Sequence, residues 1–247
     1  MFDIDQNILI LIIVAIFSGG LVKGTLGVGM PMVAVPIIAF FIPPTTAMIL
    51  LCFPILCSNL LQMNIKKGVG SYRFLPMMIM LVIGIIIGGR LIVEIELSTI
   101  SIIIAVSIIS AAIVNLLGIK FKNINTKYER PFTMILGFFS GILGGFSTLF
   151  GPPILAYLIS ADLEKEYFIR TIAIMYFIGG IALYGSLLYH GLGTLNDLYL
   201  SAYLTLPAII GQYFGTKVRN KLSNELFRKF ILTMLIIIGF SLLIKNI

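Results

Sequence analysis

The sequence predicts an all-α polytopic membrane protein, and three observations carry that prediction. Of 247 residues, 59% are apolar and only 11% charged, whereas a soluble domain of this size carries about 25% charged residues. Mean hydropathy is +1.11, which leaves too little polar surface to cover a water-soluble globule. The apolar runs are long and continuous instead of alternating with period two, which excludes a membrane β-barrel. A cytosolic enzyme, a disordered chain and a secreted disulfide scaffold are excluded with it.

In chain order, the first apolar region is broken. Residues 8–22 give one arm, a Gly-rich stretch follows at 23–30, and 31–42 give a second arm. At 1.5 Å per residue these arms reach only about 22 and 18 Å. Three predicted crossings come next, at 45–64, 74–93 and 97–118, each near the ~20 residues a bilayer core requires. A hydrophilic linker at 120–130 divides the chain. The second half repeats the plan: arms at 131–144 and 152–161 around a break at 145–151, then crossings at 167–189, 198–216 and 226–244. Arms too short for two crossings and too long for one predict broken or re-entrant hairpins. The domain reading is therefore a first repeat over 1–119, the linker, and a second repeat over 131–247. Asp3 and Asp5 precede the first run and no basic residue occurs before Lys23, so that run reads as retained and not as a cleaved leader.

The basic residues select the topology. If each hairpin returns to the side it left, Lys66, Lys67, Arg73, four residues within 120–130, Lys165, Arg170 and five within 217–229 gather on one face, fourteen in all. Arg90 and Lys245 alone lie on the other. That asymmetry is the positive-inside pattern. It places both termini outside the cytoplasm, in a multi-pass protein of the cell (inner) membrane. Counting each hairpin as one crossing instead divides the charges evenly. The net charge of +7 is thus topological, and no basic stripe with interleaved aromatics points to nucleic acid. Cys52 and Cys57 lie five apart on different faces of one helix and cannot bridge each other.

The halves also resemble each other. Phe17-Ser18-Gly19 matches Phe139-Ser140-Gly141 at an offset of 122, and the same offset takes Gly29, Pro31 and Ala34 to Gly151, Pro153 and Ala156. Gly84 and Gly88 echo Gly211 and Gly215, and Leu97-Ser98 echoes Leu222-Ser223. A hairpin plus three crossings per half makes the second half enter from the opposite face. This is an inverted-topology repeat, with a substrate site where the discontinuous helices meet. Chance similarity among Gly- and Ile-rich helices is the alternative.

Gly19, Gly24, Gly27, Gly29, Pro31 and Pro36 in the first half, with Gly141, Gly144, Gly145, Gly151, Pro152 and Pro153 in the second, resemble the sulfite exporter TauE/SafE family of membrane permeases. The resemblance covers essentially the whole chain. It implies transport of small sulfur-containing anions such as sulfite or organosulfonates, usually outward. Met30 departs from a glycine common at that place in the family.

The break residues suit an anion on physical grounds as well. A helix N-terminus presents unpaired N–H groups and about half a positive charge, and proline is favoured in its first turn. Gly29, Met30 and Pro31, and likewise Gly151, Pro152 and Pro153, read as entries into helices. Gly24, Gly27 and Gly145 allow close backbone approach, either by a ligand or by a packed helix. Lys23 is the only charge at a hairpin tip. An intramembrane ammonium is a functional-site hypothesis by default, with snorkelling to the interface as its alternative. Thr25, Ser147 and Thr148 offer hydroxyl donors, while Ser18 and Ser140 read as caps or packing. Gln212 and Asn115 are weaker candidates. Arg170 reads as part of an ion-pair cluster with Asp162, Glu164 and Glu166, and His190 as a helix end.

The function read from this is a secondary transporter, with a small anionic substrate held between the tips and lipid around it. No cofactor, metal ligand set or ATP-binding loop is indicated, and no nucleophile–base pair supports an enzyme. A proton or another ion is the candidate coupling partner, and a homodimer is compatible with the sequence. The alternatives are an uptake permease or channel for another small anion, or an intramembrane enzyme. No carboxylate sits mid-helix to carry a proton.

Overall fold

The computed structural model describes residues 5–63, 72–117, 126–161, 163–219 and 224–246. Among these there is no strand. The helices are α1 (Gln6–Leu26), α2 (Met30–Ala39), α3 (Pro44–Ile49), α4 (Cys52–Met63), α5 (Leu75–Leu91), α6 (Leu97–Leu116), α7 (Thr126–Ser147), α8 (Gly151–Ser160), α9 (Lys165–Tyr189), α10 (Leu195–Arg219) and α11 (Asn224–Lys245). Among the described residues, four spans are long and apolar enough to cross a bilayer: Gln6–Leu26, Pro44–Met63, Leu75–Glu94 and Tyr167–Tyr189. The chain is an all-α polytopic membrane protein.

The first arms are longer than the sequence suggested. α1 has 21 residues and α7 has 22, because helix continues through Lys23, Gly24 and Thr25 in one case and Gly145 and Ser147 in the other. Glycine in a helix interior costs only about 1 kcal/mol relative to alanine, and tertiary packing overrides it here. The breaks shrink to residues 27–29 and 148–150. Only the return arms α2 and α8, ten residues each, are too short to cross. Conversely, the crossing expected at 45–64 divides into α3 and α4. Pro54 has no N–H and its ring crowds the carbonyl four residues back, and the helix breaks at Leu50 and Leu51. The Phe53 N–H instead donates to Ser201 Oγ at 3.0 Å, so a helix from the other half satisfies the donor.

Two interlocked helix pairs form the frame. α1 lies along α10 and α7 along α5, backbone against backbone. A Cβ at Gly211 would lie 2.2 Å from the Phe17 carbonyl oxygen, and one at Gly215 2.1 Å from that of Leu21. In the other pair, a Cβ at Gly84 would lie 2.2 Å from the Phe138 oxygen and one at Gly88 2.5 Å from that of Ile142. Glycine is the residue that permits such approach, and within a bilayer close packing is what drives helices together. α2 doubles back on α1, where Gly19 meets Met30 and Ala34. α4 meets α9 at Gly180, and α6 meets α11 at Gly239. Cys52 is buried, Cys57 is half-buried, and both thiols are free.

At the base of the second hairpin, Arg73 pairs with Glu129, and the Tyr157 hydroxyl donates to the same carboxylate. Burial opposes ionisation of Glu129, but those two donors outweigh it and hold the carboxyl below its ordinary range. The ion-pair cluster expected around Arg170 falls in part on residues that are not described. Asp162 lies outside the described residues, and the Arg170 guanidinium sits 6.0 Å from the centre of the Tyr167 ring. The linker at 120–125 is also outside the described residues.

Candidate functional site

Both tips reach one small cavity. Its walls include Lys23 from α1, Gly29 and Pro31 at the start of α2, Asn59 from α4, Thr148 and Phe150 from the second tip, and Tyr176 and Tyr184 from α9. The space open to the centre of a water molecule is about 20 Å³, room for ordered water.

Lys23 does not snorkel. It is 4% exposed, and its Nζ donates to Asn59 Oδ1. Asn59 is freed for this because its Nδ2 donates to the Ile55 carbonyl at 2.9 Å. The ammonium also lies 6.0 Å from the Tyr176 ring centre, the outer limit of a cation–π contact. Tyr184 is buried, and its hydroxyl has no hydrogen-bond partner among the described residues. A buried hydroxyl left unsatisfied costs about 1–3 kcal/mol, which a ligand oxygen accepting from it would recover.

The backbone at the two tips is built alike. Gly27 ends α1 in the left-handed region at φ 86°, its N–H donating to the Lys23 carbonyl at 2.7 Å. Thr148 ends α7 in the same region at φ 63°, its N–H donating to the Gly144 carbonyl at 2.8 Å. Glycine takes that conformation freely, whereas a β-branched residue there is an outlier held by its surroundings. α2 then opens on Gly29, itself at φ 103°, without a side-chain cap and with a proline in its first turn. α8 opens likewise, with no side-chain cap and a proline in its first turn.

Of the twelve residues the sequence nominated, Lys23, Gly29, Pro31 and Thr148 line the cavity. Gly24 and Gly145 instead face other helices: a Cβ at Gly24 would lie 2.1 Å from the Gln212 carbonyl oxygen, and one at Gly145 2.6 Å from Gly88 and Gly89. The Thr25 and Ser147 hydroxyls donate to the carbonyls of Leu21 and Leu143 in their own helices, so their single protons are already committed. Gly27 caps α1, and Gly151 leaves room for the Tyr176 hydroxyl, which a Cβ would overlap at 1.5 Å. Pro152 and Pro153 lie in the first turn of α8, and Pro153 is not among the described residues of the cavity wall. Ser140 is buried, its hydroxyl without a hydrogen-bond partner among the described residues.

Sequence reasoning missed Asn59, Phe150, Tyr176 and Tyr184. Signals existed for three of them. Asn59 is a polar residue within an apolar run, and Tyr176, Gly180 and Tyr184 recur at four-residue spacing on one helical face.

The Thr148 geometry makes a prediction. Thr148→Gly relieves a left-handed conformation that costs a side-chain-bearing residue about 1–2 kcal/mol. The Thr148 hydroxyl already donates to the Ser147 carbonyl, so the expected effect is on stability: the melting temperature should rise by a few degrees, and a lower one, read by scanning calorimetry, would contradict strain at this position.

The family model described as Sulfite exporter TauE/SafE matches residues 11–242. No curated protein and no solved structure matches the chain.

Proposed function

We propose, from the premise that this chain belongs to the sulfite exporter TauE/SafE family, that it exports small sulfur-containing anions such as sulfite or organosulfonates and binds them in the cavity between the two tips. The family makes the chain a membrane transporter. The observation that carries the finer reading is one enclosed space holding a buried ammonium, an unpartnered phenol and the uncapped start of α2. A cation and a neutral donor converging beside a helix N-terminus suit an oxyanion. Alternating access would move the tips or the α9 rings apart to open this cavity to one side of the membrane and then the other.

The mirrored packing supports an inverted repeat of 1–119 and 131–247. Phe17, Leu21 and Gly24 meet α10 as Phe138, Ile142 and Gly145 meet α5, which sets the halves at an offset of 121 in the first arms. The sequence match at 122 is one residue out of that register. At an offset of 121 Gly27 corresponds to Thr148, the two left-handed caps. Lys23 corresponds to Gly144, where a Cβ would lie 2.4 Å from Phe150. The site is therefore asymmetric, with charge from one half and an aromatic ring from the other.

Two experiments test this reading. Purified protein in vesicles preloaded with unlabelled sulfite should accumulate labelled sulfite transiently and saturably. Flux that stays linear in concentration would contradict a carrier. For topology, with both termini outside the cytoplasm, a cysteine placed at Lys122 should label only from the cytoplasmic face and one at Asn196 only from the opposite face. Labelling of both from one face would overturn the hairpin arrangement.

A further inference from the structure

A discontinuous helix presents two opposed poles to anything bound at its break. The start of α2 attracts an anion, but the end of α1 carries about half a negative charge and bare carbonyls. In transporters built this way, such C-terminal ends coordinate a free cation. Here the acceptors are already occupied. Arg219, at the end of α10, donates from Nη2 to the Gly24 carbonyl at 2.6 Å and from Nε to the Thr25 carbonyl at 2.7 Å. Gln62, at the end of α4, donates from Nε2 to the Gly27 carbonyl at 3.0 Å. The second tip has a different solution: the Ser147 hydroxyl donates to the Leu143 carbonyl at 2.7 Å and accepts from the Leu149 N–H at 3.2 Å.

We infer that the Arg219 guanidinium is a tethered resident cation at the end of α1, standing where a free coupling cation would otherwise bind, and that it is a positioning residue for Lys23. The inference rests on the anion site proposed above. Its chemistry follows from the acceptors: two successive helix carbonyls match the planar fork of a guanidinium, which satisfies both at once. Lys23 is the residue immediately before the first of them. The fixed charge offsets the pole that would repel an anion, and the two bonds tie the last turn of α1 to α10. It follows that sodium has no open seat at this tip.

The test uses the full-length protein in detergent and in vesicles. Arg219→Ala should weaken sulfite binding about tenfold, the loss expected from removing charge-assisted hydrogen bonds. Millimolar guanidinium chloride should restore affinity and melting temperature in that variant, whereas sodium chloride at the same concentration should not. Arg219→Lys, which keeps the charge but loses the fork, should fall between the two, and it answers the question if Arg219→Ala does not fold. Wild-type exchange should run equally in sodium, potassium and choline buffers. Wild-type affinity in Arg219→Ala, a loss that neither guanidinium nor lysine repairs, or a strict sodium requirement would each overturn the inference. If wild-type protein binds no sulfite, the anion site fails instead, and guanidinium-dependent recovery of the Arg219→Ala melting temperature still decides the role of the arginine.

Discussion

Lys23→Met is expected to weaken sulfite binding by roughly ten- to hundredfold while leaving the fold in place. Methionine keeps much of the volume and the apolar stem but removes the charge and three donors. A charge-assisted hydrogen bond in a partly desolvated site is worth about 1.5–3 kcal/mol, which sets that range. The start of α2 and the Tyr184 hydroxyl remain, so binding weakens without vanishing. Lys23→Arg tests geometry separately, because a planar fork in so small a cavity is not equivalent to a point charge. Titration calorimetry on both variants reads the effect. Wild-type affinity in Lys23→Met would leave the site resting on backbone dipoles and phenols alone.

The largest effect on the fold should come from Gly24→Val. The new Cβ would sit 2.1 Å from the Gln212 carbonyl oxygen and 2.9 Å from the Gly215 Cα. Both are backbone atoms of α10, so no side-chain rotation relieves the clash and the helices must separate. Overpacking of this kind costs about 3 kcal/mol or more, which predicts a fall in melting temperature of roughly 6–12 °C or loss of the monodisperse species on size exclusion. Gly185→Ala in α9 is the control. A Cβ there meets nothing within 4 Å, and replacing a helical glycine should be neutral or stabilising by up to about 1 kcal/mol. Equal melting temperatures for Gly24→Val and wild type would contradict the interlocked pairs.

Much of this was legible in the sequence, and the reasons are physical. Long apolar runs register on helix length directly, so the later crossings fall within a few residues of α5, α6, α9, α10 and α11. Lys23 stood out because a lone charge in an apolar, Gly-rich stretch has few bland explanations. The glycines misled. Gly24 and Gly145 read as breaks, yet they are helical residues made necessary by a neighbour's backbone, and nothing local in the sequence reports that neighbour. Pro54 carried a signal that went unread, since a proline within a predicted crossing implies a break four residues earlier. Asn59 lies 36 positions from the lysine it accepts from, a pairing that only tertiary packing creates. The Phe-Ser-Gly match falls at an offset of 122, whereas the faces of α1 and α7 that pack on α10 and α5 correspond at 121.

Selenite, the heavier congener of sulfite, offers the most direct test of an anion site between the tips. Anomalous diffraction at the selenium edge from crystals of the full-length protein grown with selenite should give one peak within hydrogen-bonding reach of Lys23 Nζ and the Tyr184 hydroxyl, beside the first turn of α2. The same peak should weaken or disappear in Lys23→Met crystals. A strong peak elsewhere in the bundle, unchanged by that substitution, would contradict the assignment.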